Sequence, residues 1–192
     1  MDLSSHWDTE LLPVLISAVL VTKGDVDMAP LLSTLPFDDI VVWDNSKRED
    51  LKVLGRYAAV KEAKYSTIYT QDDDCIVDAA MVAESYEAGR VVCNMPLAKR
   101  DEYRTLAPGI ALVGWGSCFD VECVGVLDRY MERYGIDELF KRECDRVFTA
   151  LNSITMIDVP FRHLPTAFGG RMGDEGRHLE DLAEIQRRIA TL

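Results

Sequence analysis

No two cysteines of this chain stand in C-x-x-C spacing, and the five present (Cys75, Cys93, Cys118, Cys123 and Cys144) are odd in number. A disulfide framework is therefore disfavoured, and free buried thiols in a reducing cytoplasm are the simplest reading. Positive charge is also scarce: 21 Lys and Arg face 33 Asp and Glu, for a net charge of -12. That excludes a broad electrostatic footprint on DNA or RNA, although a local basic patch could still hold nucleic acid as a substrate. No long apolar run is present. The segment Leu11 to Val21 is interrupted by Pro13 and Ser17 and is too short to span a bilayer. Asp2, Asp8 and Glu10 occupy the place where a signal peptide carries basic residues, so none is expected, and the expected location is cytoplasmic. Internal repeats and low-complexity stretches are absent. What remains is a 192-residue chain, 48% hydrophobic and 28% charged, with the composition of one globular domain.

Residues 1–12 read as a polar arm, and 13–192 as a single domain. Val14 to Val21 has the near-continuous apolar character of a central strand and ends in Thr22-Lys23-Gly24-Asp25, a turn signal. A short helix is expected over about Asp27 to Leu35, before Pro36. Ile40 to Trp43 reads as a second strand ending in Asp44-Asn45-Ser46. Ser46 and Glu49 have capping-box spacing, which predicts a helix from there to about Lys64. Further strands are predicted over 68–71, Arg90 to Cys93 and Ile110 to Val113, the last ending in Gly114-Trp115-Gly116-Ser117. Asp78 is placed to cap a helix running towards Gly89. Asp120 to Tyr134 reads as helix with Gly135 as its C-cap, and Asp137 to Leu151 as helix broken near Cys144-Asp145. Residues 153–178 read as a mobile loop, followed by a final amphipathic helix bearing Leu179, Leu182, Ile185 and Ile189. Strand–helix alternation predicts an α/β fold with a mostly parallel, Rossmann-like sheet flanked by helices and a ligand site beyond the carboxyl ends of its strands.

The chain's most informative stretch is Ile68-Tyr69-Thr70-Gln71-Asp72-Asp73-Asp74. Three adjacent carboxylates at a strand end repel one another and resist desolvation. A hard divalent cation such as Mg²⁺ or Mn²⁺ relieves both and leaves positions for substrate phosphates. In an extended segment Asp72 and Asp74 share one face and Asp73 takes the other. The alternative is an acidic surface turn ahead of the Asp78 cap.

The ordered set of these strand ends resembles the GT-A-fold nucleotide-sugar glycosyltransferases over about residues 14–150. Thr22 and Lys23 stand where that fold contacts the nucleoside, and Asp44-Asn45-Ser46 resembles its D-N-x-S signature. Arg56 stands where a basic residue often occurs on the third helix, and Asp72-Asp73-Asp74 fits the D-x-D element. Trp115 and Gly116 belong to a loop like the one that approaches sugar or acceptor, and Glu143-Cys144-Asp145-Arg146 resembles the late E-D element, interrupted by Cys144.

The resemblance implies transfer of a sugar from a nucleoside-diphosphate sugar, most simply a UDP-sugar, to a hydroxyl on a protein, glycan or modified nucleic acid. It implies Mn²⁺ or Mg²⁺ on Asp74, with Asp72 on the metal or the ribose, Asp73 orienting its neighbours, and a later histidine as third ligand. His178 is assigned that role, with His163 as the other candidate. Asp44 with Ser46 would meet uracil or ribose. Asp145, or Glu143 beside it, would act as general base on the acceptor. Arg171 and Arg177 lie among Gly169, Gly170, Gly173 and Gly176, a composition able to close over a pyrophosphate. Each residue has a plainer alternative: Asp44 in an Asx-type turn, Trp115 in the core, Asp145 paired with a neighbouring arginine, the histidines exposed. Two other classes stay open, a sugar nucleotidyltransferase and a non-catalytic metal- or nucleotide-binding module.

Overall fold

The computed structural model describes residues 14–100, 111–164 and 175–192. The elements are β1 (Ile16–Thr22), α1 (Ala29–Leu32), β2 (Asp39–Asp44), α2 (Gly55–Ala59), β3 (Thr67–Thr70), β4 (Cys75–Val77), α3 (Ala79–Glu84), β5 (Val91–Asn94), α4 (Leu97–Arg100), β6 (Ser117–Asp120), α5 (Val126–Tyr134), α6 (Glu138–Leu151), β7 (Ile154–Ile157), β8 (Phe161–His163) and α7 (Glu175–Ile189). Short 3₁₀ turns flank α2 on both sides, over Lys52–Leu54 and Val60–Glu62.

Six strands form one sheet in the order β2-β1-β3-β6-β5-β7. β1 pairs in parallel with β2 and β3, and β5 with β7, while β6 runs antiparallel to both neighbours. The expected α/β class with a mostly parallel sheet is therefore observed, with one strand reversed. β1 is buried along its whole length, as a continuous apolar strand at the sheet centre must be. β4 and β8 form a separate antiparallel pair, Cys75 opposite His163 and Val77 opposite Phe161. The core beneath α6 is built from Tyr57, Phe119, Tyr130, Phe140, Val147 and Phe148, all fully or almost fully buried.

Several expected elements are corrected. The capping box at Ser46 does not form, because Ser46 Oγ donates to Asp44 Oδ1 at 2.5 Å instead of capping a helix. The helix begins only at Gly55, after Asn45 Oδ1 has accepted the Leu51 N–H and Asn45 Nδ2 has bonded the Lys52 carbonyl. The helix over 27–35 shrinks to the single turn α1. The strand expected before Gly114 lies after it, as β6, because Cys118 and Phe119 pack into the sheet. α6 is unbroken through Cys144 and Asp145, capped by Asp137 Oδ1 accepting from Phe140 N at 2.8 Å. The presumed loop after residue 153 contains β7 and β8. All five cysteines are free and buried, as expected. No helix among the described residues is long and apolar enough to cross a membrane. The arm over 1–12, Arg171 and the glycines Gly169, Gly170 and Gly173 lie outside the described residues, as do the side chains of Arg177 and His178.

Candidate active site

Reversal of β6 has a consequence for where the loops meet. The carboxyl ends of β1, β2 and β3 lie on one edge, and a strand running the other way starts on that edge. So Gly114-Trp115-Gly116, which enters β6, meets the same edge as the acids that leave β3. Asp72 forms an isolated bridge with Val21, and its N–H donates to the Gly114 carbonyl at 2.7 Å. A Cβ on Gly114 would collide with the Asp72 carboxylate.

The acidic residues themselves form a turn, not an extended run, so the expected alternation of Asp72 and Asp74 does not arise. Gln71, fully buried, makes the turn: it accepts from Tyr69 Oη at 2.6 Å and donates to the Cys75 carbonyl at 2.7 Å. Nothing in its sequence context marks Gln71. Only its place between a strand and an acidic run hints that a buried amide is needed to close the chain on itself.

Asp72 is already committed on one oxygen. Its Oδ1 lies 2.5 Å from Nη2 of Arg56, whose side chain is only 2% exposed. Arg56 Nε is also 3.7 Å from Asp145 Oδ1, and the next residue, Tyr57, donates to that oxygen at 2.7 Å. Arg56, Asp72 and Asp145, separated widely in sequence, thus form one chain of charges. Arg56 Nε and Nη1 have no hydrogen-bond partner among the described residues. The two carboxylates hold the Arg56 guanidinium firmly protonated against the opposing effect of burial. Burial pushes the Asp145 carboxyl up, with Asp72 adding to the rise, while Arg56 and the Tyr57 hydroxyl hold it down.

Asp73 and Asp74 are both raised, chiefly by burial and then by neighbouring carboxylates. The hydrogen-bonded Thr22 hydroxyl opposes this at Asp73, and the charges of His163 and Lys23 oppose it at Asp74. His163 is on β8, opposite Cys75, where Leu164 N–H donates to the Asp74 carbonyl. Of the two histidines weighed, His163 is therefore beside the acidic turn. His178 is on α7.

The strand ends of β1 and β2 interlock. Gly24 has a φ of 80°, and a Cβ there would strike Ser46 and approach Asp44. Thr22 Oγ1 accepts from Gly24 N at 3.0 Å, and the Thr22 carbonyl from Asn45 N at 2.9 Å. Asp44 accepts from Ser46 N, and its carboxyl is pulled down to about 2 by Lys47 and by both donors of Ser46. The Asx-type turn is thus real. Asn45 is the residue that locks it, also accepting from Trp43 Nε1 at 3.1 Å. Lys23 is exposed at the rim.

Trp115 is buried and stacks on Phe161 at 4.6 Å, with His163 at its edge. It forms the wall between the loop and the β4–β8 pair. Gly116 has a φ of 98°, and a Cβ there would press on Val77 and Tyr69. Glu143 sits apart from Asp145 in a buried pair with Arg146, Nε to Oε2 at 2.5 Å.

Among the described residues no group of three or more His, Cys, Asp or Glu side chains is arranged to hold a metal ion. The donor chemistry nevertheless fits Mg²⁺ or Mn²⁺, since both favour oxygen ligands and commonly use one or two carboxylates together with substrate phosphates. Asp74 and the Asp72 oxygen not bound to Arg56 are the residues suited to that.

No protein-family model matches the chain, and no curated protein matches its sequence. Among solved structures it is similar to glucosyl-3-phosphoglycerate synthase from Mycobacterium tuberculosis in complex with Mg²⁺ and uridine diphosphate, with a TM-score of 0.51, 13% identity, and coverage of 92% of this chain and 80% of that one. It is also similar to A197 from STIV, with a TM-score of 0.45, 15% identity, and coverage of 78% of this chain and 85% of that one. The first likeness shows that the fold is GT-A-like.

Proposed function

We propose that this chain is a metal-dependent glycosyltransferase that moves a sugar from a nucleoside-diphosphate sugar, in the simplest case a UDP-sugar, to a hydroxyl acceptor. One observation carries the reading. The acidic turn after β3 is held on the carboxyl edge of the sheet, facing the Gly114 loop, and is linked through Arg56 to a half-buried carboxylate on α6. Such an edge is where open α/β sheets bind their ligands. The solved structure with the similar fold contains Mg²⁺ and UDP, which agrees with the reading.

Asp74 and Asp72 would hold the cation. When bound it would supply Lewis-acid stabilisation of the charge that builds on the leaving diphosphate. The raised carboxyls of Asp73 and Asp74 support this assignment, because a cation offsets both the desolvation and the repulsion that raise them. Thr22, Lys23, Asp44 and Ser46 line the rim assigned to the nucleoside. Arg56, bonded through Nη2 to Asp72 Oδ1, keeps Asp72 aligned. Gly116, and Trp115 through its packing on Phe161, shape the wall on the sugar side. Arg171 and Arg177 remain assigned to the pyrophosphate and His178 to the cation, with His163, beside Asp74, as the other histidine.

Asp145 is the proposed base. Burial raises its carboxyl, the direction a general base needs, and Arg56 Nε stands 3.7 Å from its Oδ1. Glu143 would serve only in its place, since it is paired with Arg146.

The test is release of UDP from a panel of UDP-sugars in water, with Mn²⁺ and no acceptor. A transferase leaks this hydrolysis. A nucleotidyltransferase requires nucleoside triphosphate and sugar phosphate, and a binding module yields nothing. Absence of UDP release across the panel, with an active nucleotidyl transfer from triphosphate, would replace the proposal.

A further inference from the structure

Two groups on α2 approach Asp145 at the same oxygen. Tyr57 Oη donates to Oδ1 at 2.7 Å, and Arg56 Nε stands 3.7 Å from it without forming a hydrogen bond. Oδ2 has no hydrogen-bond partner among the described residues, and the Asp145 side chain is 20% exposed. The Tyr57 ring is itself fixed. It is 3% exposed and packs at 4.9 Å on Phe148, which lies on α6 three residues beyond Asp145. A hydroxyl held this rigidly selects one Asp145 rotamer and one of its two oxygens.

We infer that Tyr57 is a positioning residue: its hydroxyl ties down Asp145 Oδ1 and leaves Oδ2 to take the proton of the acceptor hydroxyl. This rests on the proposed role of Asp145 as base. In the step, the acceptor O–H proton passes to Oδ2 and the acceptor oxygen bonds the anomeric carbon. The bond from that carbon to the β-phosphate oxygen breaks, and its electron pair leaves with the diphosphate. Tyr57 touches neither substrate nor reacting atoms.

The hydroxyl also acts on the acidity of Asp145. The groups facing that carboxyl are Arg56 and Tyr57 from α2, Asp72 from the turn after β3, Cys93 from β5, and Glu143 and Cys144 on its own helix. Burial, Asp72 and Glu143 raise it, and Arg56 and the Tyr57 bond lower it. Removing the hydroxyl therefore shifts Asp145 upward.

The variant is Tyr57→Phe, which keeps the ring on Phe148. Two readouts are used: the pH profile of kcat for UDP-glucose hydrolysis with Mn²⁺, and the carbon-13 titration of the Asp145 carboxyl, assigned by its loss in Asp145→Asn. The titration needs no substrate. Expected are a higher Asp145 pKa, an acid limb displaced to higher pH, a fall in kcat of about tenfold or more, and a KM within about twofold of wild type. If Asp145→Asn abolishes turnover while Tyr57→Phe leaves the limb and the titration in place, the positioning role is overturned and the base stands. If Asp145→Asn turns over normally, the base assignment falls, and the inference with it. Should Tyr57→Phe fail to fold, 3-fluorotyrosine at position 57, a stronger donor of similar size, must move the limb to lower pH; an unmoved limb overturns the inference.

Discussion

Substituting Gly114 by Ala probes the central contact of the site from its far side. The added Cβ would overlap the Asp72 carboxylate, and Asp72 is the residue able to yield. It cannot yield freely, because its Oδ1 is 2.5 Å from a buried Arg56 nitrogen. Rotating Asp72 away breaks that charge-assisted bond, a loss of about 1.5–3 kcal/mol in general. The Asp72 side chain is 40% exposed, so water recovers part of this, and about 1–2 kcal/mol is the expected destabilisation. For a chain of this size that lowers Tm by roughly 2–8 °C. Urea melts of Gly114→Ala, Asp72→Ala and the double variant measure it. With Asp72 truncated, the alanine at 114 has little left to strike, so its cost should fall below about 0.5 kcal/mol. An equal cost in both backgrounds, or none in either, would refute the argument that Gly114 is required by the Asp72 carboxylate.

Asp145→Asn should keep UDP binding and lower turnover by about a hundredfold or more, seen as a fall in kcat without a matching rise in KM; retained turnover would move the base elsewhere. A pH prediction follows from Asp73, whose carboxyl is raised in the folded state. A raised carboxyl contributes stability below its ordinary value of 3.8 and loses it as pH climbs through the folded value. At neutral pH the ionised Asp73 therefore destabilises the apoprotein. Asp73→Asn should raise the apo Tm at neutral pH, with the gain vanishing on acidification below the ordinary aspartate range; a pH-independent gain would assign the effect to packing.

The sheet, and the place of the acids at the end of β3, are legible because their signals are local, whereas the turn the acids make is not, since it depends on the buried Gln71 amide. The run Ala18-Val19-Leu20-Val21 is apolar and β-branched enough to read as a buried strand, and three successive aspartates resist burial in a sheet interior. The helix start after β2 was misread because Ser46 and Glu49 satisfy a capping pattern that tertiary contacts overrule: Ser46 is taken by Asp44 and the chain is held back by Asn45. β6 was misplaced because its strand direction depends on which neighbours it finds, and sequence periodicity carries no direction. The Gly114 loop was nevertheless assigned to the correct edge, since an antiparallel strand begins where a parallel one ends. The link from Arg56 to Asp145 joins residues 89 positions apart through a buried cation, and Tyr57 acts through one hydrogen bond and Gln71 through those to Tyr69 and Cys75, none of which leaves a sequence pattern.

The most direct measurement is calorimetric titration of UDP into the protein with Mn²⁺ and again with EDTA, for wild type and Asp74→Ala. UDP binding is expected to require the cation in wild type and to be lost or strongly weakened in Asp74→Ala, whose apo Tm is not lowered. UDP affinity equal in Mn²⁺ and EDTA, or unaffected by the substitution, would contradict a cation-held diphosphate at the turn after β3.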